Sequence, residues 1–198
     1  MKTIILSPAH AQDTPGKQSP NGVFKEYEFS RKILSQVWIN LKGKRVPCEY
    51  LAPENEPSIS SIHYNRVLPT NKIWAETKGN CIYFALHTNA AGNGKNWLEA
   101  RGVCAFTSRG QTKSDEYAKL LYKDLKKEFS DLTPKNQPEW YFWRGLREEN
   151  FIELMSNPPC ILLEWLFQDS KEDIVLLENE EINNRLIKII TDFLIKIA

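Results

Sequence analysis

Net charge, cysteine and long apolar runs are all scarce in this 198-residue chain. With 26 Lys and Arg against 25 Asp and Glu, the formal charge is +1. A protein that grips nucleic acid concentrates cations to release the counterions around phosphate, so DNA and RNA are excluded as expected partners. No apolar stretch approaches the roughly 20 residues that cross a bilayer, and no integral membrane segment is expected. A secretory leader is not expected either. Ala9-His10-Ala11 imitates a cleavage site, but the Thr3 to Leu6 stretch before it is shorter than the roughly 7 to 15 residues of a signal-peptide apolar region. Cys48, Cys81, Cys104 and Cys160 include no C-x-x-C pair, which removes the usual spacing of a structural zinc or dithiol site. Three of them, Cys81, Cys104 and Cys160, sit in apolar runs, where a free thiol behaves as a small core hydrophobe. Synthesis in a reducing cytoplasm is the expectation.

Repeats, low-complexity tracts and Gly/Ser linkers are also missing, so residues 1–198 are predicted to form one domain with no separate binding module. Within it, apolar runs of strand length alternate with segments of helical period. Strands are expected over Thr3 to Leu6, Val46 to Leu51, Cys81 to Leu86, Gly102 to Thr107 and Cys160 to Leu163. Several are continuously apolar, the mark of a parallel sheet covered on both faces. Helices are expected over Phe24 to Lys42, Ser58 to Lys78, Ser114 to Phe129, Glu148 to Met155 and Glu180 to Ile197. Pro69 is expected to break the second of these, because proline cannot donate and crowds the preceding turn. The pattern predicts an α/β fold: a single domain with a mostly parallel twisted sheet covered by helices on both faces.

In such sheets ligands bind beyond the carboxyl ends of the strands. Two of the three histidines fall there, His10 after the first strand and His87 at the end of Ile82 to Leu86, and Glu164 ends Ile161 to Leu163. His63 has no partner pattern and is expected to be a surface or structural histidine. A carboxylate joins the set by its place on the first helix. At 100° per residue, Glu26 shares the arc of Ile33, Val37 and Leu34, whereas Glu28 lies about 200° away on the opposite face. An ionised carboxylate facing a core must be paired with a cation or coordinate a metal, so Glu26 is either a ligand or half of a salt bridge.

His10, Glu26 and His87 together make a three-ligand N/O site with room for water, as in catalytic zinc centres. The same set also suits a non-haem iron triad. Glu164 favours zinc, because hydrolysis needs a base to collect the proton of water and pass it to a leaving group, and an iron oxygenase does not require one.

The residues carrying this chemistry resemble the zinc-dependent N-acetylmuramoyl-L-alanine amidases of bacterial cell-wall hydrolases and phage lysins. Ile4 to His10 (IILSPAH) looks like that family's opening strand and first histidine ligand, and Gly22 to Ser30 (GVFKEYEFS) like its glutamate stretch. Ile82 to Asn89 (IYFALHTN) is similar to the strand carrying the third ligand, and Ile161 to Phe167 (ILLEWLF) to the strand of the catalytic glutamate. Further similarity lies in Arg66 to Asn71 (RVLPTN), Arg101-Gly102-Val103, the helix start at Ser114 and Arg147 to Leu154 (REENFIEL). The chain departs from the family at Ala9-His10-Ala11, where Gly-His-Gly is usual, and at Glu164-Trp165-Leu166-Phe167, where Glu-x-Gly-Phe is usual.

The resemblance implies Zn²⁺ held by His10, Glu26 and His87, with Glu164 as catalytic base. It also implies hydrolysis of the amide between N-acetylmuramic acid and the L-alanine of the stem peptide in peptidoglycan. A catalytic domain without a leader resembles a phage or prophage endolysin, made in the cytoplasm and acting on the wall after release. The alternatives are a bacterial wall-remodelling amidase, a zinc peptidase cutting within the stem peptide, and a non-catalytic wall-binding or virion protein. Asn89 and Trp97, in and beyond the Gly- and Asn-rich loop after His87, are candidate substrate contacts, and Trp140 to Trp143 is an aromatic run suited either to sugar stacking or to the core.

Overall fold

Residues 4 to 6, 82 to 86 and 161 to 163 bury every side chain they carry, and this two-sided apolarity organises the molecule. A computed structural model describes all residues 1–198. Its six strands are β1 (Thr3–Pro8), β2 (Cys48–Tyr50), β3 (Cys81–Asn89), β4 (Val103–Thr107), β5 (Trp143–Glu148) and β6 (Cys160–Phe167). They form one sheet in the order β2-β1-β3-β6-β4-β5. β2, β1, β3 and β6 run parallel, whereas β4 is antiparallel to β6 and carries β5 parallel to itself.

Because successive strand residues face opposite sides, the two faces collect different partners. Ile4, Leu6, Ile82, Phe84, Leu86, Ile161, Leu163 and Trp165 join the larger core with helices α1 (Glu26–Gly43), α4 (Lys113–Glu128) and α7 (Glu180–Ile197). α7 lies against both α1 and α4. Each fully buried aliphatic side chain here contributes roughly 1.5–3 kcal/mol relative to exposure. Ile5, Cys81, Tyr83, Ala85, Cys104, Cys160 and Leu162 face the other way into a smaller core. That face is covered by α2 (Ile59–Ile62), α3 (Leu68–Glu76) and a 3₁₀ turn at Ile152–Met155. The predicted α/β sandwich with helices on both faces is therefore the observed one.

Two local expectations are corrected. The segment does fall into two short α-helices, α2 and α3, but the interruption is a π-helical turn at His63–Val67 and not a break at Pro69, which lies in the first turn of α3. The wider turn lets the helix run on where proline lacks a donor and would crowd the α-helical carbonyl four residues back. The helix expected over Glu148 to Met155 is instead the end of β5, an extended stretch and the 3₁₀ turn. Its apolar spacing reflects the burial of Leu154 beneath the sheet while Phe151 stays partly exposed. β5 and two short helices, α5 (Glu139–Phe142) and α6 (Lys171–Leu177), were not expected. β5 is an edge strand with only its first residue buried, so it lacks the apolar run that marks its neighbours.

The four cysteines are all free and buried, as core thiols should be. One glycine is required by geometry: Gly102 has φ +101, and a Cβ there would lie 1.9 Å from the carbonyl oxygen of Phe142. This close approach lets β4 begin beside β5.

Candidate metal centre

His10 lies two residues beyond β1 with a left-handed backbone, φ +50, that L-residues rarely adopt. Two arginines hold it there. Arg31 Nη1 donates to its carbonyl at 2.8 Å and Arg66 Nη2 at 3.2 Å. Ala9 and Ala11 are buried on either side. Such a conformation persists only where its surroundings over-determine it, and it clusters at functional sites.

Glu26 opens α1, buried to 1% exposure, while Glu28 faces solvent, as the helical arc predicts. The helix N-terminus favours a carboxylate electrostatically, and the backbone N–H of Thr88 donates to Glu26 Oε1 at 3.0 Å. His87 stands near the end of β3 with Nδ1 3.2 Å from Glu26 Oε1, and His10 Nε2 is 3.6 Å from Glu26 Oε2. The two imidazoles meet edge to face with centroids 4.9 Å apart. One ligand atom from each of His10, Glu26 and His87 lies within 4.8 Å of the other two. The sequence-predicted triad is thus brought together from three separate elements.

Glu164 stands directly across from His87 in the parallel pairing of β3 and β6. Its side chain lines the same cavity as His10 and His87, a cleft of about 390 Å³ whose apolar walls include Ile59, Ile62, Phe151 and Ile152. Burial raises the Glu164 carboxyl to about 7, and the charge of Glu26 adds to the effect against that of His87. Burial lowers His10 to about 3 despite Glu26, so its imidazole is neutral. For Glu26, burial is outweighed by the neighbouring histidines, which hold the carboxyl down at about 2. For His87, burial is outweighed by Glu153 and Glu26, which raise it to about 10.

The donors suit a divalent cation. Two imidazoles and a carboxylate are the N/O set of catalytic zinc sites, and Glu26 Oε2 is buried without a hydrogen-bond partner. Glu26, Glu56 and Glu153 are buried against Arg66 and His87; once His87 gives up its proton to serve as a ligand, two negative charges are left over, which a divalent ion would balance. A buried surplus of that kind is costly in a low-dielectric interior unless a cation answers it.

Other candidates lie elsewhere. Asn89 ends β3, its side-chain oxygen accepting from the Ala90 N–H, and Trp97 is half-buried in the following loop; neither lines the cleft. Phe142 and Trp143 are core residues, and Trp140 is exposed away from the cleft. His63 opens the π turn and packs against Tyr64, outside the cluster.

Sequence reasoning missed Glu153. This carboxylate sits in the 3₁₀ turn with Oε2 2.9 Å from His87 Nε2, while Tyr83 Oη donates to Oε1 at 2.9 Å. Arg66 Nη1 lies 3.3 Å from Oε1. The arc argument that selected Glu26 had a counterpart here, since Glu153 interrupts Phe151-Ile152-Glu153-Leu154.

Residues 4–196 match the family model for N-acetylmuramoyl-L-alanine amidase. No curated protein matches the sequence significantly. Among solved structures, the catalytic domain of CwlV, an N-acetylmuramoyl-L-alanine amidase from Bacillus (Paenibacillus) polymyxa var. colistinus, superposes with a TM-score of 0.76 at 17% identity, over 100% of this chain and 98% of that one. An N-acetylmuramoyl-L-alanine amidase from Clostridium difficile 630 gives 0.75 at 20% identity, over 98% and 95%. The catalytic domain of the CD27L endolysin, which targets Clostridia difficile, gives 0.67 at 18% identity, over 99% and 98%. At these identities the superpositions establish the shared fold.

Proposed function

The chain belongs to the N-acetylmuramoyl-L-alanine amidase family, and from that premise we propose that it hydrolyses the amide joining N-acetylmuramic acid to the L-alanine of the peptidoglycan stem peptide in a zinc-dependent reaction. The observation that carries this reading is the convergence of His10, Glu26 and His87, with His10 and His87 lining one cleft together with Glu164. His10, Glu26 and His87 would hold the zinc. When bound, it supplies Lewis acidity toward the scissile carbonyl and toward water.

The rest of the reaction falls to the chain's own groups. Glu164, whose carboxyl burial raises above the ordinary carboxylate range, is the group placed to act as general acid and base. Its carboxylate takes the proton of the attacking water and returns it to the nitrogen of the departing L-alanine. The peptide leaves with a free amino terminus, and the lactyl carboxyl stays on the glycan. Ile59, Ile62, Phe151 and Ile152 form an apolar wall suited to the lactyl and alanine methyl groups. Asn89 and Trp97 are proposed as outer contacts to peptide or glycan.

In biological setting we place it with the endolysins, acting on the wall from a cytoplasmic origin. The four free buried thiols support a reducing compartment, and the fold is shared with an endolysin catalytic domain. Digestion of purified peptidoglycan tests the chemistry, with product ends identified by mass spectrometry before and after chelation and zinc restoration. Release of stem peptides beginning at L-alanine, stopped by chelator and restored by zinc, is the expected result. Glu164→Gln should slow it by about 10² to 10⁴ while retaining zinc. A cut inside the stem peptide, or full activity in Glu164→Gln, contradicts the assignment.

A further inference from the structure

The carboxylate of Glu153 has more partners than its ion pair with Arg66 explains. Arg66 is already matched by Glu56, its Nε donating to Oε1 at 2.6 Å and its Nη2 to Oε2 at 2.9 Å. A second buried carboxylate beside the same guanidinium adds a negative charge that Arg66 alone does not neutralise. Its two oxygens are divided. Oε1 accepts from Tyr83 Oη at 2.9 Å and Ser7 Oγ at 3.3 Å and lies 3.3 Å from Arg66 Nη1. Oε2 is left to His87 Nε2 at 2.9 Å. The other ring nitrogen, Nδ1, faces Glu26.

We infer that Glu153 is a positioning residue for His87: by accepting the Nε2 proton it fixes the ring's orientation and tautomer, so that Nδ1 is the nitrogen offered to the metal. The inference rests on the metal-centre reading above and deepens it. Histidine ligands ordinarily donate their second N–H to a carboxylate or carbonyl, which orients the ring and makes it a stronger donor. Here the orienting group is itself oriented. Ser7 and Tyr83 rise from β1 and β3, and Arg66 from the π turn, so Oε1 is tied to three elements of the small-core face. A π turn is a common device for placing such a residue without ending a helix. His10 has no equivalent partner, since its Nδ1 is buried without a hydrogen bond; only its backbone carbonyl is gripped, by Arg31 and Arg66.

The test measures metal binding by the metal-free full chain, with zinc affinity read by competition against a chromophoric chelator and ligand geometry read from the visible absorption of the cobalt(II) form. Glu153→Ala should weaken zinc binding by about 10- to 100-fold and alter the cobalt spectrum. Glu153→Gln keeps an acceptor oxygen and the side-chain shape, and it should recover part of the loss. A folded Glu153→Ala with wild-type affinity and spectrum overturns the inference. Imidazole ¹⁵N spectra of the wild-type chain decide the matter even if the variants do not fold. Zinc should shift His87 Nδ1 while Nε2 keeps its proton, and the reverse pattern overturns the inference. Failure of the wild-type chain to bind zinc overturns the metal-centre reading and this inference with it, whereas the preceding negative results overturn the role of Glu153 alone.

Discussion

Arg66, carried on a π-helical turn, reaches the backbone carbonyl of His10 with Nη2 at 3.2 Å, holding a ligand that stands two residues past the end of β1. The same side chain donates to the carbonyl of Pro8 at 2.6 Å, to the hydroxyl of Ser7 and to both oxygens of Glu56. The metal-centre geometry is therefore coupled to a buried guanidinium that touches no ligand side chain within the triad.

That arrangement predicts an unusual cost for a nominally conservative change. A lysine ammonium has three donors on a point charge and cannot reproduce the planar fork. Arg66→Lys should leave part of the Glu56 and Glu153 charge unpaired, and loss of a buried partner costs on the order of 3–5 kcal/mol. Urea denaturation of the metal-free chain measures it. A variant as stable as wild type would show that Arg66 carries none of this burden.

Leu166 stands where the resemblance leads one to expect glycine, and the structure gives it a left-handed φ of +63 with a fully buried side chain. Strain and burial oppose each other there. Leu166→Ala loses apolar contacts and should cost about 2–5 kcal/mol while keeping the strained backbone. Leu166→Gly loses the same contacts but relieves the backbone. Glycine should therefore be no worse than alanine here, against the usual penalty of roughly 0.5–1 kcal/mol for glycine in a strand. The order of the two midpoints in denaturant decides it: alanine clearly above glycine would mean that φ carries no strain.

Cys104 supplies a pH dependence. Burial, with the Glu164 charge adding to it, pushes its thiol from 9.0 up to about 12. The folded value is thus above the unfolded one, and its stabilising contribution is complete below about pH 9 and lost as pH rises toward 12. Between pH 8 and 10.5 the wild-type chain should lose about 2 kcal/mol more unfolding free energy than Cys104→Ala, from the 1.36 kcal/mol carried by each pKa unit. Equal losses in the two proteins would show that Cys104 ionises alike in folded and unfolded chains.

Much of this could be read from local pattern. Continuous apolar runs at Thr3, Cys81 and Cys160 announced buried parallel strands, and the helical arc separated buried Glu26 from exposed Glu28. Residues at the strand ends, His10, His87 and Glu164, were legible because a parallel sheet has a fixed ligand-binding end. α6 left a readable trace as well, since the Ser170 hydroxyl caps the Asp173 N–H just before an apolar run. β5 left none, because an edge strand half in solvent needs no apolar alternation.

What the sequence determined by itself was the set of groups and their local placement: strand, helix, and which face of each. Those depend on neighbours one to four residues apart, where periodicity records burial. What only the tertiary structure decided was how the groups meet, because pair contacts across the chain leave no local period. Glu153 lies 66 positions from the histidine it orients and Arg66 lies 56 from the carbonyl it holds. The burial of these charges is tolerable only when the whole cluster is assembled, with the carboxylates answered by Arg66, by the histidines and by a bound cation. A single carboxylate in an apolar stretch is therefore visible in the sequence, but the partner that justifies it is chosen by the fold.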